Sequence, residues 1–330
     1  MTSPLSVPRV HVGLIHTHEP TVEAARAAVV AQRGVRSTIT EIANLPQLEA
    51  HQSLYAALDA ATLENDLLVK VDGDMVIEHP HLFGAVVQLL AAHPEIDHIT
   101  IGVNDWFSGR AIDGMVFWRG GVRWVGAPDP VRMDHVETTV RDSLRIVNHQ
   151  LMLVSHGSSP TEQQAIRYGI HRGRKARLSM TRIRISDATE FVRFAASDPH
   201  PRRLLAVAAV EHGIRSPDAA AALMEGLAPT AVSRRLADRS VDADLVPATL
   251  ERLQALEQER RDSEPAPPPT PLFTRLRRTT TAAARVRLAR VRAWRIDPAT
   301  TSTTSGGMRT DGESVEEEFR AVLRERSIRD

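Results

Sequence analysis

Residues 66–77 read Asp66-Leu-Leu-Val-Lys-Val-Asp72-Gly73-Asp74-Met-Val-Ile77, a short apolar run that ends in two carboxylates separated by one glycine. Nearly unbroken apolar sequence suits a parallel strand covered on both faces, and open α/β sheets take their ligands at the carboxyl ends of such strands. Within a strand, residues two apart point the same way, so Asp72 and Asp74 are expected to converge on one object. Gly73 lets the backbone come close to that object. Two carboxylates at this spacing repel each other unless a proton or a cation lies between them, and hard oxygen ligands favour magnesium or manganese. The plainer reading is a strand that runs into an acidic turn.

Before this stretch lie two strand–helix units. Val10–Ile15 is a strand, His16-Thr17-His18-Glu19-Pro20 a polar turn, and Thr21–Gln32 a helix with Val22, Ala25, Ala28 and Val29 on its apolar face. Ser37–Ala43 is the second strand, Asn44-Leu-Pro46 a turn, and Gln47–Ala61 the second helix. Strands alternating with helices of this length predict a parallel, doubly wound sheet, with the acidic strand third. A helix over Pro80–Ala91 and a strand over Ile96–Val103 continue the pattern.

The texture then changes. Met115–Trp118, Gly120-Gly121 and Val122–Val125 predict a hairpin with a Gly-Gly turn, whose Trp118 and Trp124 pack on each other or, with Trp106, offer faces to a sugar. A proline-rich turn, Ala127–Pro130, leads to Met133-Asp134-His-Val-Glu137, and Leu144–Ser155 is a further strand ending at His156. Ser159-Pro-Thr-Glu162 has the form of a capping box, so a helix is expected from there to about Leu178. Its cations, among them Arg167, Arg172, Arg174 and Arg177, either face water or contact phosphates.

Residues 187–262 read as short helices broken by Pro199, Pro217, Pro229 and Pro247, and Glu264–Pro271 as a stiff linker. Thr274–Arg295 holds eight arginines and no acid, with Ala284, Leu288, Val291 and Trp294 at helical spacing, a basic amphipathic helix suited to an anionic membrane surface. Residues 298–312 read as disordered and Glu313–Arg326 as a short mixed-charge helix. The expected organisation is therefore an α/β unit over 1–186, a helical extension over 187–263, a linker over 264–272 and a tail over 273–330.

With 330 residues the chain can form one large domain or two ordinary ones. Its 41 lysines and arginines balance 41 aspartates and glutamates, so net charge gives no argument for a nucleic-acid partner. Absence of cysteine excludes disulfides, zinc-thiolate sites and thiol catalysis. The first residues lack the pattern of a signal peptide and there is no apolar run of about 18 residues, so a cytoplasmic location is expected, peripheral to the membrane if the tail binds it.

Strand, helix, strand, helix and then Lys70-Val-Asp72-Gly-Asp74-Met resembles the nucleotide-sugar-binding half of a family 2 glycosyltransferase of the GT-A fold, from about Val10 to Lys175. The resemblance implies a Rossmann-type mixed sheet flanked by helices. It implies a nucleotide-diphosphate sugar donor and transfer, with inversion, to a glycan, a lipid-linked or a small-molecule acceptor. Asp72 and Asp74, completed by His156, would hold manganese or magnesium. Thr17, Glu19, Glu41, Asn44, Lys70 and Asp72 would border the nucleoside and diphosphate; the plainer reading makes the first five ordinary turn and cap residues. Asp134 or Glu137, with Asp129 a third choice, would be the base that takes the acceptor's proton. Two rivals stand beside it. Asp72-Gly-Asp-Met-Val76 also fits the nucleophile motif of haloacid-dehalogenase-like phosphatases, though two strand–helix units precede it here; the other rival is a degenerate transferase that acts as a binding module.

Overall fold

In the computed structural model the described residues are 7–17, 19–126, 136, 138–147, 153–225, 230–263 and 312–328. The α/β part runs β1 (Arg9–His16), α1 (Val22–Val30), β2 (Arg36–Ala43), α2 (Gln47–Ala61), β3 (Leu67–Asp72), β4 (Met75–Ile77), α3 (Leu82–Ala92), β5 (His98–Asp105), β6 (Arg110–Arg119), β7 (Ser143–Ile146) and β8 (Val154–His156). Helices follow: α4 (Glu162–Ser179), α5 (Arg182–Ser197), α6 (Pro201–Arg215), α7 (Pro217–Glu225), α8 (Thr230–Ser240), α9 (Leu245–Ser263) and α10 (Gly312–Ile328).

The sheet is mixed, in the order β2-β1-β3-β6-β5-β8-β4, with β7 also on β5. β1 pairs in parallel with both β2 and β3, while β6 runs antiparallel between β3 and β5. β3 and β4 hold distant places in that order yet are joined by two residues, Gly73 and Asp74. Three residue steps span at most about 11 Å, whereas four strand spacings on a flat sheet amount to about 19 Å. The sheet must therefore curl, which brings the β4–β8 ribbon across the carboxyl ends of β3 and β5.

This break corrects the reading of residues 66–77 as one strand. Gly73 donates its N–H to Ile15 O, and Thr21 Oγ1 donates to Gly73 O at 2.8 Å, so the loop after β1 pulls the chain off β3. A Cβ at Gly73 would lie 2.6 Å from the His16 Cβ and 2.8 Å from Val22 Cγ2. The close approach that requires glycine is to the chain's own first turn.

The expected Gly-Gly hairpin is also corrected. β6 folds back on β5 through residues 106–109, and among the described residues between Arg119 and β7 the chain makes an isolated bridge, Trp124 with Thr138. Gly120 and Gly121 instead close on the α2–β3 loop, donating to Asp66 O and Thr62 O. A Cβ on Gly120 would fall 1.9 Å from Asn65 O. Trp118 and Trp124 do pack on each other, ring centres 5.3 Å apart, against Tyr55. Of the long strand expected over 144–155, the described residues form β7 and the start of β8, which pair at different points along β5. The cap of α4 lies two residues later than expected: Thr161 accepts from Gln164 N and the Gln164 side chain answers, forming the box with Thr161 rather than Ser159. Pro247 sits in the first turn of α9, where its missing N–H costs nothing, and does not break it.

Three cores result. One lies on one face of the sheet, built by Val10, Val12, Leu14, Val69, Val71, Phe83 and Phe117 and their neighbours, and a second on the opposite face, where Leu68 and Trp118 meet Leu54 and Leu58 of α2. α10 belongs to the first: Val315, Phe319, Val322 and Leu323 are buried against α3 and β7. The third core is helical, α4 to α9, and receives Phe107 from the β5–β6 turn, stacked on Tyr168 with ring centres 4.0 Å apart. α4 and α6 approach closely enough that a Cβ on Gly169 or Gly173 would strike Ala206 O or Val210 O. No helix among the described residues is long and apolar enough to cross a membrane. The linker over 264–272 and the arginine-rich segment 274–295 lie outside the described residues.

Candidate active site at the carboxyl edge

Strand register assembles the site. In β8, His156 stands opposite Met75 of β4 on one side and Asp105 of β5 on the other. Its ring is therefore held between Asp74, the residue before β4, and Asp105, the last of β5. Nδ1 donates to Asp105 Oδ1 at 2.9 Å, and Nε2 lies 3.4 Å from Asp74 Oδ2. The backbone locks the same contact, because Gly157 N donates to Asp74 O and Trp106 N to His156 O.

Asp105 is fully buried and richly supplied with donors. Ser108 donates from both N and Oγ, the Tyr168 hydroxyl donates at 2.6 Å, and Arg172 Nη2 stands 3.5 Å away. Burial opposes its charge, but His156, Arg172 and Ser108 outweigh burial and hold the carboxyl well below the usual carboxylate range. Burial pushes the Tyr168 phenol up, so it serves as a neutral donor. For His156, burial works against the cation, yet the charge of Asp74 and the bond to Asp105 lift its pKa to about 9. Asp74 is raised by burial, with the nearby Asp72 and Glu19 charges adding to the rise and His156 opposing it.

Around this pair stand most of the residues expected from sequence. Lys70, buried in β3, donates to Asp72 Oδ2 at 2.9 Å. Glu19 accepts from Thr17 N and Thr17 Oγ1, and Arg167 of α4 reaches across to donate to the same hydroxyl at 2.9 Å. Thr17, Glu19, Lys70, Asp72, Asp74 and His156 thus share one edge. Glu41 and Asn44, at the end of β2, have partners of their own: Glu41 accepts from Arg26 Nε and Nη2 and lies 3.4 Å from His16 Nε2, and Asn44, at a φ of 58°, donates its N–H to His16 O. Asp129, Asp134 and Glu137 lie outside the described residues.

The expected three-ligand metal set is not assembled. Among the described residues no group of three or more His, Asp or Glu side chains stands in a metal-holding arrangement. Asp72 is turned to the Lys70 ammonium instead. Asp74 and His156 do fit a divalent cation. A metal-binding imidazole characteristically anchors its second nitrogen on a carboxylate, as His156 does on Asp105, and its Nε2 lies 3.4 Å from Asp74 Oδ2.

Sequence reasoning missed Asp105, Tyr168 and Ser108, and left Arg167 and Arg172 as helix cations that either face water or contact phosphates. The strand expected over Ile96–Val103 runs on to Asp105, and one more step of alternation puts Asp105 at its carboxyl end. A groove of about 560 Å³ lies elsewhere, between α2 and the amino ends of β1 and β2, lined by Arg9, His11, Arg36 and Thr38 among others, and it holds none of these groups.

No family model matches the chain, and no curated protein does. Among solved structures the chain is similar to the mannosyltransferase PcManGT from Pyrobaculum calidifontis in complex with GDP-Man and Mn2+, at 12% identity and a TM-score of 0.32, covering 99% of this chain and 91% of that one. It is similar also to S. aureus TarS residues 1–349 in complex with UDP, at 8% identity and a TM-score of 0.32, covering 78% of this chain and 92% of that one. Likeness at this level does not transfer function.

Proposed function

We propose that the chain is a glycosyltransferase that moves a sugar from a nucleotide-diphosphate donor to an acceptor hydroxyl, with inversion at the anomeric carbon. The observation that carries this reading is the meeting of Asp74 and His156 at the carboxyl edge of a mixed sheet, with Lys70 and Arg167 on either side. Thr17 and Glu19, at the end of β1, border the donor, with Glu41 and Asn44 further along the same edge. Lys70 and Arg167 offer fixed positive charge to the diphosphate as the bond from sugar to oxygen breaks. Asp74 and His156 would hold manganese or magnesium, with Asp72 available once it leaves Lys70, and the ion when bound neutralises leaving-group charge. Asp134 or Glu137 takes the proton of the attacking hydroxyl, Asp129 being the third choice. The acceptor is a glycan, a lipid-linked or a small molecule, and the basic segment 274–295 brings the protein to an anionic membrane surface.

A thermal-shift series with UDP and GDP, with and without manganese, tests this. One nucleotide should raise the melting temperature in the presence of manganese, and Asp74→Asn should abolish the metal-dependent part. A nucleotide response that ignores manganese would remove the metal from the reading, and no response to either nucleotide would reject the transferase.

A further inference from the structure

Asp105 has no part in the chemistry proposed above, yet it is the most heavily coordinated acid in the site. It is 2% exposed, and three elements converge on it: Ser108 from the β5–β6 turn, Tyr168 and Arg172 from α4, and His156 from β8. The two α4 residues are four apart and so lie on one face of that helix. Arg172 also stacks its guanidinium over the Tyr168 ring, 4.5 Å from its centre, which stiffens both. A carboxylate held from three sides presents its remaining oxygen, Oδ1, in one direction, and that oxygen receives His156 Nδ1.

We infer that Asp105 is a positioning residue: by holding Nδ1 of His156 it fixes the ring and turns Nε2 toward Asp74, so that docking of the helical bundle through Tyr168 and Arg172 sets the geometry of the catalytic edge. A residue that merely filled space there would need neither four donors nor a carboxylate aimed at the imidazole. Neutral or apolar neighbours would pack at lower cost, since a buried charge must be repaid in hydrogen bonds. The consequence for a cation rests on the function proposed above; the consequence for the imidazole does not.

The test compares wild type, Asp105→Asn and Tyr168→Phe by the nitrogen-15 and ring-proton NMR signals of His156, assigned by their loss in His156→Gln, and by manganese affinity in titration calorimetry. Wild type should show a downfield, exchange-protected Nδ1 proton. Asp105→Asn should lose that signal and bind manganese about 10- to 100-fold more weakly, the range found when a ligand's anchoring partner is removed. If Asp105→Asn does not fold, Tyr168→Phe, which deletes one hydroxyl, should shift the same His156 signals and weaken manganese a few-fold. His156 signals unchanged in every folded variant would overturn the inference, whether or not manganese binds. Failure of wild type to bind manganese would instead count against the metal reading, and the NMR comparison would still decide the role of Asp105.

Discussion

Lys70 is buried beside Asp72, and its ammonium competes with any divalent cation for that carboxylate. Removing one positive charge a few ångströms from a cation site is worth about 1–2 kcal/mol at a partly solvated edge. Lys70→Met should therefore tighten manganese binding by about tenfold without nucleotide and weaken nucleotide diphosphate binding, both read by calorimetry; equal manganese affinity would show that Lys70 does not compete. Glu211 supplies a different residue-scale case. Its side chain is 4% exposed and accepts from Arg239 Nε and Arg252 Nε, with Arg215 at 2.9 Å. Burial opposes its charge, but the arginines prevail and its pKa falls below the usual value of 4.5. A depressed folded pKa stabilises above the unfolded value and is lost as pH falls through the folded one. Glu211→Gln should thus cost about 3 kcal/mol near neutrality, and the gap to wild type should close as pH drops below about 4.5 in urea melts. A gap independent of pH would mean that packing, not charge, is what the variant loses.

At the scale of elements, the α4–α6 contact decides how α4 presents Tyr168 and Arg172. A methyl at Gly169 would lie 2.0 Å from Ala206 O and 2.7 Å from Ala209 Cβ, so backbone must move. Alanine gains about 1 kcal/mol in helix propensity, but overpacking of a tight contact costs about 1–3 kcal/mol. Gly169→Ala should therefore destabilise by up to about 2 kcal/mol and, because Tyr168 is its neighbour, also weaken manganese binding. Stability lost with manganese affinity intact would uncouple the bundle from the site. The β5–β6 turn needs glycine for a related reason: Gly109 has a φ of 63°, and a side chain there would run into the Phe194 ring. Neither requirement shows in local sequence, because both are set by what lies opposite.

For the whole molecule, α10 ties the far end of the chain to the first core. Phe319 is fully buried, while Arg326 contacts Gln88 and Glu318 pairs with His93 on the α3 side of the sheet. Phe319→Ala should cost about 3–5 kcal/mol and leave manganese affinity unchanged, since α10 packs on α3 and β7. The same anchoring shapes the membrane test. Ending the chain at Ser263 would remove α10 and its core contacts together with the arginines. Replacing Arg285, Arg287, Arg290 and Arg292 by glutamine keeps α10. The wild type should pellet with anionic vesicles at low salt and release at high salt, and the quadruple variant should stay in solution. Equal pelleting would leave these arginines as solvated charge.

Element order was legible from residue pattern, because apolar alternation, turn residues and helix periodicity are local properties. It placed Asp72, Asp74 and His156 at strand ends and Glu313–Arg326 in a helix. Local pattern could not show that the chain leaves β3 at Gly73, that Gly120 closes on Asn65 O, or that Lys70 occupies Asp72. Nor could it show Asp105 beneath His156. That contact joins β5, β8 and α4, more than 50 residues apart in chain for Asp105 and His156, and depends on β8 lying between β4 and β5. Sequence by itself placed Asp72, Asp74 and His156 at the carboxyl edge; that Asp105 joins them, and which of these groups meet, was decided by strand register and helix docking, since a hydrogen bond of 2.9 Å is fixed by the packing of distant elements and not by their neighbours in the chain.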